Sequence, residues 1–230
     1  MIRIISLLFL LISMNAWAQL PIPKNIRSAY ANGTRSMDGM PGPKYWQNKA
    51  KYNLNIQFDP VSLMIKGKER IVYINNSPDT LKQIVFKLYP NLYQKGSPRL
   101  MAMDSFDVNG GIHISSIKMN NDELMESDYI IFNTNMFTRA RLRPGVSVTI
   151  DIEYTYQLNK TSHIRTGEIV PGADFIAYFF PRIAVYDDID GWNLNPYLGT
   201  QEFYNDFCDF NLSVTVPRKT IVWATGDQTN

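Results

Sequence analysis

Histidine and cysteine are the scarcest chemical resources in this sequence: His113, His163 and Cys208 are the full supply of both residue types. The two histidines lie far apart, so no local ligand spacing points to zinc. His113 sits within an alternating apolar/polar run and reads as a strand-surface residue, and His163 lies in a polar stretch and reads as a loop residue. Cys208 lacks a nearby base and reads as a small core hydrophobe. No His-Glu-x-x-His, Gly-x-Ser-x-Gly, Cys-x-x-Cys or phosphate-cradling glycine loop occurs. The densest carboxylate cluster is Asp187-Asp188-Ile189-Asp190. Carboxylates at this spacing could hold a hard cation, but the following Gly191 comes too early for a calcium loop and no glutamate closes it. A hydrogen-bonding turn is the simpler reading, and a contact with a neighbouring domain is the other.

The second chemically unusual stretch is Phe175 to Tyr204, FIAYFFPRIAVYDDIDGWNLNPYLGTQEFY. Aromatic rings at this density, separated by Asp and Asn and broken by Pro181 and Pro196, favour a packed interface or a ligand surface. Carbohydrate stacking would use the same residues. Composition removes other classes. The 230 residues are 45% hydrophobic and 19% charged with a net charge of +2, too apolar for a disordered chain and without the basic excess of a nucleic-acid binder. One cysteine rules out an internal disulfide framework.

These residues must be positioned by strands. Arg3, the apolar run Ile4–Ile12 and the small-x-small Ala16-Trp17-Ala18 predict a cleavable export signal over 1–18, giving a periplasmic or secreted protein with no membrane attachment after cleavage. Residues 19–47, punctuated by Pro21, Pro23, Gly33, Gly39, Pro41, Gly42 and Pro43, show no period and predict an extended arm. Period-two alternation then begins. Tyr52, Leu54, Ile56 and Phe58 alternate with polar residues, and similar runs follow over 63–75, 81–89, 112–119, 129–132, 136–142, 146–156, 210–216 and 221–225. Gly67 marks a bulge or bend, and 98–105 a short helix. About ten strands joined by short turns predict an all-β fold, an antiparallel saddle-shaped β-sandwich.

Five segments in order carry a resemblance: PGPKYWQNKAKYNLNIQFDP (41–60), YINNSPDTL (73–81), FFPRIAVYDDIDGWN (179–193), PYLG (196–199) and DFNLSVTVP (209–217). Together they resemble the bacterial, exported branch of the gluzincin zinc aminopeptidases, the family of alanyl aminopeptidase and leukotriene A4 hydrolase. The resemblance implies that residues 48–230 form the N-terminal β domain, incomplete at its C-terminus, of a metallopeptidase whose thermolysin-like domain holds the zinc. It implies no catalytic and no metal residue in this chain, and no cofactor of its own. The implied partner is the protein's own C-terminal catalytic domain, with peptide substrates reached through that domain and no nucleic acid. The segment before the Phe-Pro pair, where relatives often place a polar residue, has Tyr178 here. Tyr178, Phe179, Phe180, Arg182, Tyr186, Asp187, Asp188 and Trp192 are the candidate interdomain or substrate-cleft surface. The alternative is a self-contained secreted β-sandwich that binds carbohydrate or protein through residues 175–204.

An aromatic face that normally covers another domain would leave an apolar patch on the isolated chain, and an unpartnered last strand would leave an open sheet edge. The isolated chain is therefore expected to self-associate in size-exclusion chromatography with light scattering. A clean monomer at high concentration is the contrary result.

Overall fold

The computed structural model describes residues 21–161 and 163–229; the export signal predicted over 1–18 lies outside them. The chain divides into two compact units, Met1–Tyr45 and Trp46–Asn230.

The described part of the first unit corrects the reading of the arm as extended. Lys24–Asn32 forms a helix, α1. Its nine residues contain neither Pro nor Gly, and the punctuation lies at its ends. Pro23 precedes the first turn, and Gly33 follows the last in the left-handed region (φ 75°), its N–H donating to the carbonyls of Ala29 and Tyr30. Breakers counted over the whole arm hid a helix they in fact delimit.

The second unit is all-β. Its larger sheet takes the order β14-β1-β2-β8-β4-β5, from β1 (Lys49–Asp59), β2 (Met64–Ile74), β4 (His113–Met119), β5 (Asp122–Glu123), β8 (Ser147–Gln157) and β14 (Cys208–Thr215). Facing it is a four-stranded sheet, β11-β3-β7-β6, from β3 (Leu81–Lys87), β6 (Tyr129–Phe132), β7 (Asn135–Leu142) and β11 (Arg182–Ile183). Two short hairpins complete the set, β9 (Gly167–Val170) with β10 (Ala173–Phe175), and β12 (Tyr186–Asp187) with β13 (Gly191–Trp192).

Alternation sets which face is dry. Tyr52, Leu54, Ile56 and Phe58 of β1, Ile65, Ile71 and Tyr73 of β2, and Val148, Ile150, Ile152, Tyr154 and Tyr156 of β8 all point into one core. From the other sheet Leu81, Ile84, Phe86, Met136, Leu142 and Ile183 meet them. The opposite face of the large sheet is wet and carries cross-strand ion pairs: Lys68–Glu153 at 2.7 Å, Arg70–Asp151 at 2.7 Å and Lys118–Glu123 at 3.2 Å. These exposed pairs fix register more than they add stability.

Four local expectations are corrected. Gly67 introduces no bulge, because β2 runs in unbroken register against both β1 and β8. The glycine is needed because the ring of Tyr154 lies across it, and a Cβ there would sit 2.1 Å from Tyr154 Cζ. The irregularity is instead in β4, between Ile114 and Ser116, and it turns both Ile114 and Ile117 inward. β14 pairs with β1 in parallel. Short turns force antiparallel pairing only between strands adjacent in sequence, and a long excursion separates these two. Finally, 98–105 forms no α-helix and 221–225 no strand, with Ile221 and Trp223 almost fully exposed.

Glu69 breaks the core pattern. It occupies an inward position of β2 between Leu54 and Ile152, is 3% exposed, and neither carboxyl oxygen has a hydrogen-bond partner. Burial holds its pKa well above the usual carboxylate value. A raised folded pKa means that the stability tied to the proton is fully present below about pH 4.5 and is lost as pH rises through the folded value. Glu69→Gln, which cannot ionise, is expected to match the wild type near pH 4 and to exceed it by roughly 1–3 kcal/mol at pH 8. Urea denaturation at the two pH values reads this, and an equal offset at both would refute it.

Candidate functional site

The aromatic segment is built as a seam along the sandwich edge. β11 adds to the four-stranded sheet beside β3, with Arg182 opposite Lys87 and Ile183 opposite Phe86. At the seam Tyr52 of β1, 1% exposed, accepts a hydrogen bond on its hydroxyl from the Ile183 N–H at 3.1 Å. Its ring stacks on Phe210 of β14 at 5.0 Å and meets Phe180 edge-on at 5.5 Å. Arg182 lies over the Phe210 ring at 5.3 Å and donates to the Asp206 carbonyl at 2.9 Å. The carboxylate of Asp206 accepts from Gln47 at 3.1 Å, although burial raises its pKa.

Further along, β12 and β13 form the hairpin that contains the aspartate cluster. Asp187 Oδ1 accepts from the N–H groups of Ile189 (3.0 Å) and Asp190 (2.8 Å), and Oδ2 accepts from the Tyr204 hydroxyl at 3.0 Å. Asp187 is therefore the anchor of a turn. Among the described residues no group of three His, Cys, Asp or Glu side chains could hold a metal ion. Tyr186 stacks on Trp46 at 5.6 Å, meets Trp192 at 5.2 Å and donates through its hydroxyl to Asp79 at 2.8 Å. Asp79 belongs to the turn after β2, which is itself organised from two sides. Asn48 accepts from the N–H groups of Asn76 and Ser77 and donates to the Tyr73 hydroxyl, while Asn75 accepts from the Ser77 hydroxyl at 2.6 Å.

Lys87 is the group that sequence reasoning missed. It ends β3 and is 4% exposed, and its ammonium donates only to neutral oxygens: Asn135 Oδ1 (3.0 Å), Asn193 Oδ1 (3.3 Å) and the Asn195 carbonyl (2.7 Å). Burial pushes its pKa down to about 8. It pins residues 193–195 to the sheet, aided by Asn135 donating to the Leu194 carbonyl. A strand-end lysine before a Pro-Asn turn gives no sequence hint of burial.

The candidate residues thus fall into three neighbourhoods. Phe179, Phe180 and Arg182 lie at the Tyr52 seam, while Tyr186, Asp187, Asp188 and Trp192 lie on the short hairpin. Tyr178 is separate, stacked on Phe203 at 4.0 Å and edge-on to Tyr89 at 5.7 Å. Most rings of 175–204 are spent on internal packing, and Phe175 and Tyr204 are the only rings of the segment exposed. No open aromatic platform for sugar stacking results. The exposure expected there belongs to β14. Phe210 and Leu212 share a face with their partners Tyr52 and Leu54, yet are 43% and 41% exposed where those partners are 1% and 3%. Phe207 and Trp223 are exposed as well. Cys208 is half-buried and its thiol pKa is raised by burial, the opposite of an activated nucleophile. His113 lies exposed on β4, and His163 sits in a tight turn closed by Thr166.

No family model matches the chain, and no curated protein matches it. Among solved structures it is similar to an M1 zinc metallopeptidase from Deinococcus radiodurans (14% identity, TM-score 0.41, covering 77% of this chain and 34% of that one). It is also similar to a two-domain M1 zinc metallopeptidase mutant bound to L-arginine (15%, 0.43, 83% and 39%). Aminopeptidase A from Legionella pneumophila in complex with aspartic acid is a third (14%, 0.34, 52% and 12%). The chain spans well under half the length of each.

Removing the Tyr52 hydroxyl leaves the Ile183 N–H buried without an acceptor while keeping the ring. Tyr52→Phe is expected to cost about 1–3 kcal/mol in chemical denaturation. A change under about 0.5 kcal/mol, the ordinary range for a surface substitution, would mean that the bond is not structurally required.

Proposed function

We propose that this chain is the non-catalytic N-terminal β domain of a zinc-dependent aminopeptidase, which packs against a thermolysin-like domain and shapes one wall of its peptide cleft. The observation that carries this reading is the convergence of four of the five sequence segments that resemble the gluzincin aminopeptidases. They are scattered along the chain, yet the first, second, third and fifth are one another's contacts. Trp46 and Asn48 of the first meet Tyr186 of the third and Asn76 and Ser77 of the second. Asp79 of the second binds Tyr186 of the third. Tyr52 of the first meets Ile183 of the third and Phe210 of the fifth. The fourth makes a separate contact: the Tyr197 N–H donates to the hydroxyl of Thr134, the residue before β7, at 2.6 Å, next to the Asn195 carbonyl that Lys87 holds. Segments that co-occur because they pack together are what a domain signature consists of.

Among the described residues no donor set fits a catalytic zinc, which needs three or four His, Cys or carboxylate ligands converging on one point. No hydrolytic step is therefore assigned to these residues. Their role is mechanical: to hold a rigid edge, with the uncovered apolar row of β14 available to a neighbouring domain.

The test is an assay of the complete gene product that contains this chain. Release of p-nitroaniline from an aminoacyl p-nitroanilide, lost on chelation and restored by zinc, is expected, with no turnover by residues 19–230 alone. A complete coding sequence without His-Glu-x-x-His, or a purified product without chelator-sensitive activity, would overturn the reading.

A further inference from the structure

The two sheets of the sandwich carry their charge differently. On the outer face of the six-stranded sheet the cations Lys68, Arg70 and Lys118 each have a carboxylate within 3.2 Å. The four strands of the smaller sheet contain no aspartate or glutamate, yet they carry five cations: Lys82, Lys87, Arg139, Arg141 and Arg182. Two of these are engaged within the fold, Lys87 by its three oxygens and Arg182 by the Asp206 carbonyl. Lys82, Arg139 and Arg141 are exposed and form no ion pair among the described residues.

The same face is apolar at its edge. Met136, Ala140 and Leu142 of β7 pack into the core, so Phe137, Arg139 and Arg141 point outward. Register sets Ile130 of β6 opposite Phe137 and Phe132 opposite Asn135, on that same outer face. β6 is the edge strand of its sheet, and Ile130 and Phe132 are 67% and 66% exposed. Its sequence, Tyr-Ile-Ile-Phe, has none of the charges or prolines that blunt an exposed edge. The nearest carboxylate in register is Asp128, one residue before the Tyr129–Thr138 pair, and its Oδ2 accepts the Met125 N–H at 2.9 Å.

We propose that this outer face is a reversible docking surface for an anionic lipid bilayer, with Arg139 and Arg141 meeting headgroup phosphates and Ile130 and Phe132 entering the boundary between headgroups and acyl chains. Guanidinium groups without internal partners fit phosphate oxygens, which accept both arms of the fork. Apolar side chains beside them fit a layer that offers negative charge and hydrocarbon together. An acidic protein would match the arginines, but it would need pockets shaped to the two protruding side chains; a fluid interface needs none. Such contact is peripheral, it departs from the membrane-free state expected from the sequence, and it is independent of any peptidase role.

Vesicle sedimentation of the complete gene product after export processing tests it, using phosphatidylcholine alone and phosphatidylcholine mixed with phosphatidylglycerol. Binding is expected only to the mixed vesicles, weakening as salt is added. Arg139→Gln with Arg141→Gln is expected to lower the partition coefficient about 20–30-fold, near fivefold per arginine. Phe132→Ser is expected to lower it about fivefold or more. Lys68→Gln, on the ion-paired face of the other sheet, is expected to leave it unchanged. Equal binding to both vesicles, binding to neither, or as large a loss from Lys68→Gln would overturn the proposal. Arginine-dependent retention on a polyglutamate resin without vesicle binding would also overturn it, and would give the face an acidic protein partner.

Discussion

A single buried side chain, Tyr52, sets how the two sheets meet. Its ring belongs to the six-stranded sheet, its hydroxyl holds the backbone of β11 in the four-stranded one, and Phe180 and Phe210 close on it from two sides. A β-sandwich gains its stability from non-directional burial, which fixes how far apart two sheets lie but does little to fix their lateral register. A hydrogen bond to a buried backbone N–H is directional and costly to leave unmade. That bond, placed where β1, β11 and β14 come together, gives the seam one arrangement, and the aromatic segment is then built outward from it.

Around this seam the molecule tolerates polar groups in places where burial alone would reject them, and it treats them differently. Lys87 is buried but has three oxygen acceptors, so its desolvation is offset and the ammonium clamps residues 193–195. Asn48 and Asn75 are buried and use their side chains to replace missing ladder partners in the turn after β2. Glu69 has no such partner and stands as a net cost to the fold. Polar burial in this domain thus stabilises where it organises irregular backbone, and costs where it interrupts a regular strand.

The regular part of the fold was legible in sequence because period-two alternation has one physical cause, a sheet with a wet face and a dry face. β1, β2 and β8 announce themselves this way. Readings failed where local pattern and tertiary partner diverge. Residues 221–225 look like a strand, but strand propensity is realised only against a neighbour. Residues 24–32 set Ile26, Ala29 and Tyr30 at helical spacing between a Pro and a Gly, but the run is short and lies among other breakers. The candidate site was legible as an aromatic segment of unusual composition, but not as three separate neighbourhoods, since ring density does not say which rings are spent on one another.

Composition and alternation by themselves determined that this chain is an all-β domain with a wet face and a dry face, and that it carries no local catalytic motif. These properties follow from residue type and spacing along the chain, which are one-dimensional. Only the tertiary structure decided that β14 joins β1 in parallel and that Lys87 is a buried clamp. Each of these depends on groups distant in sequence meeting at hydrogen-bonding range, and a contact of that kind has no period to read. The scarcity of histidine and cysteine limits what chemistry the chain can do; the seam at Tyr52 shows that its aromatic residues serve architecture first.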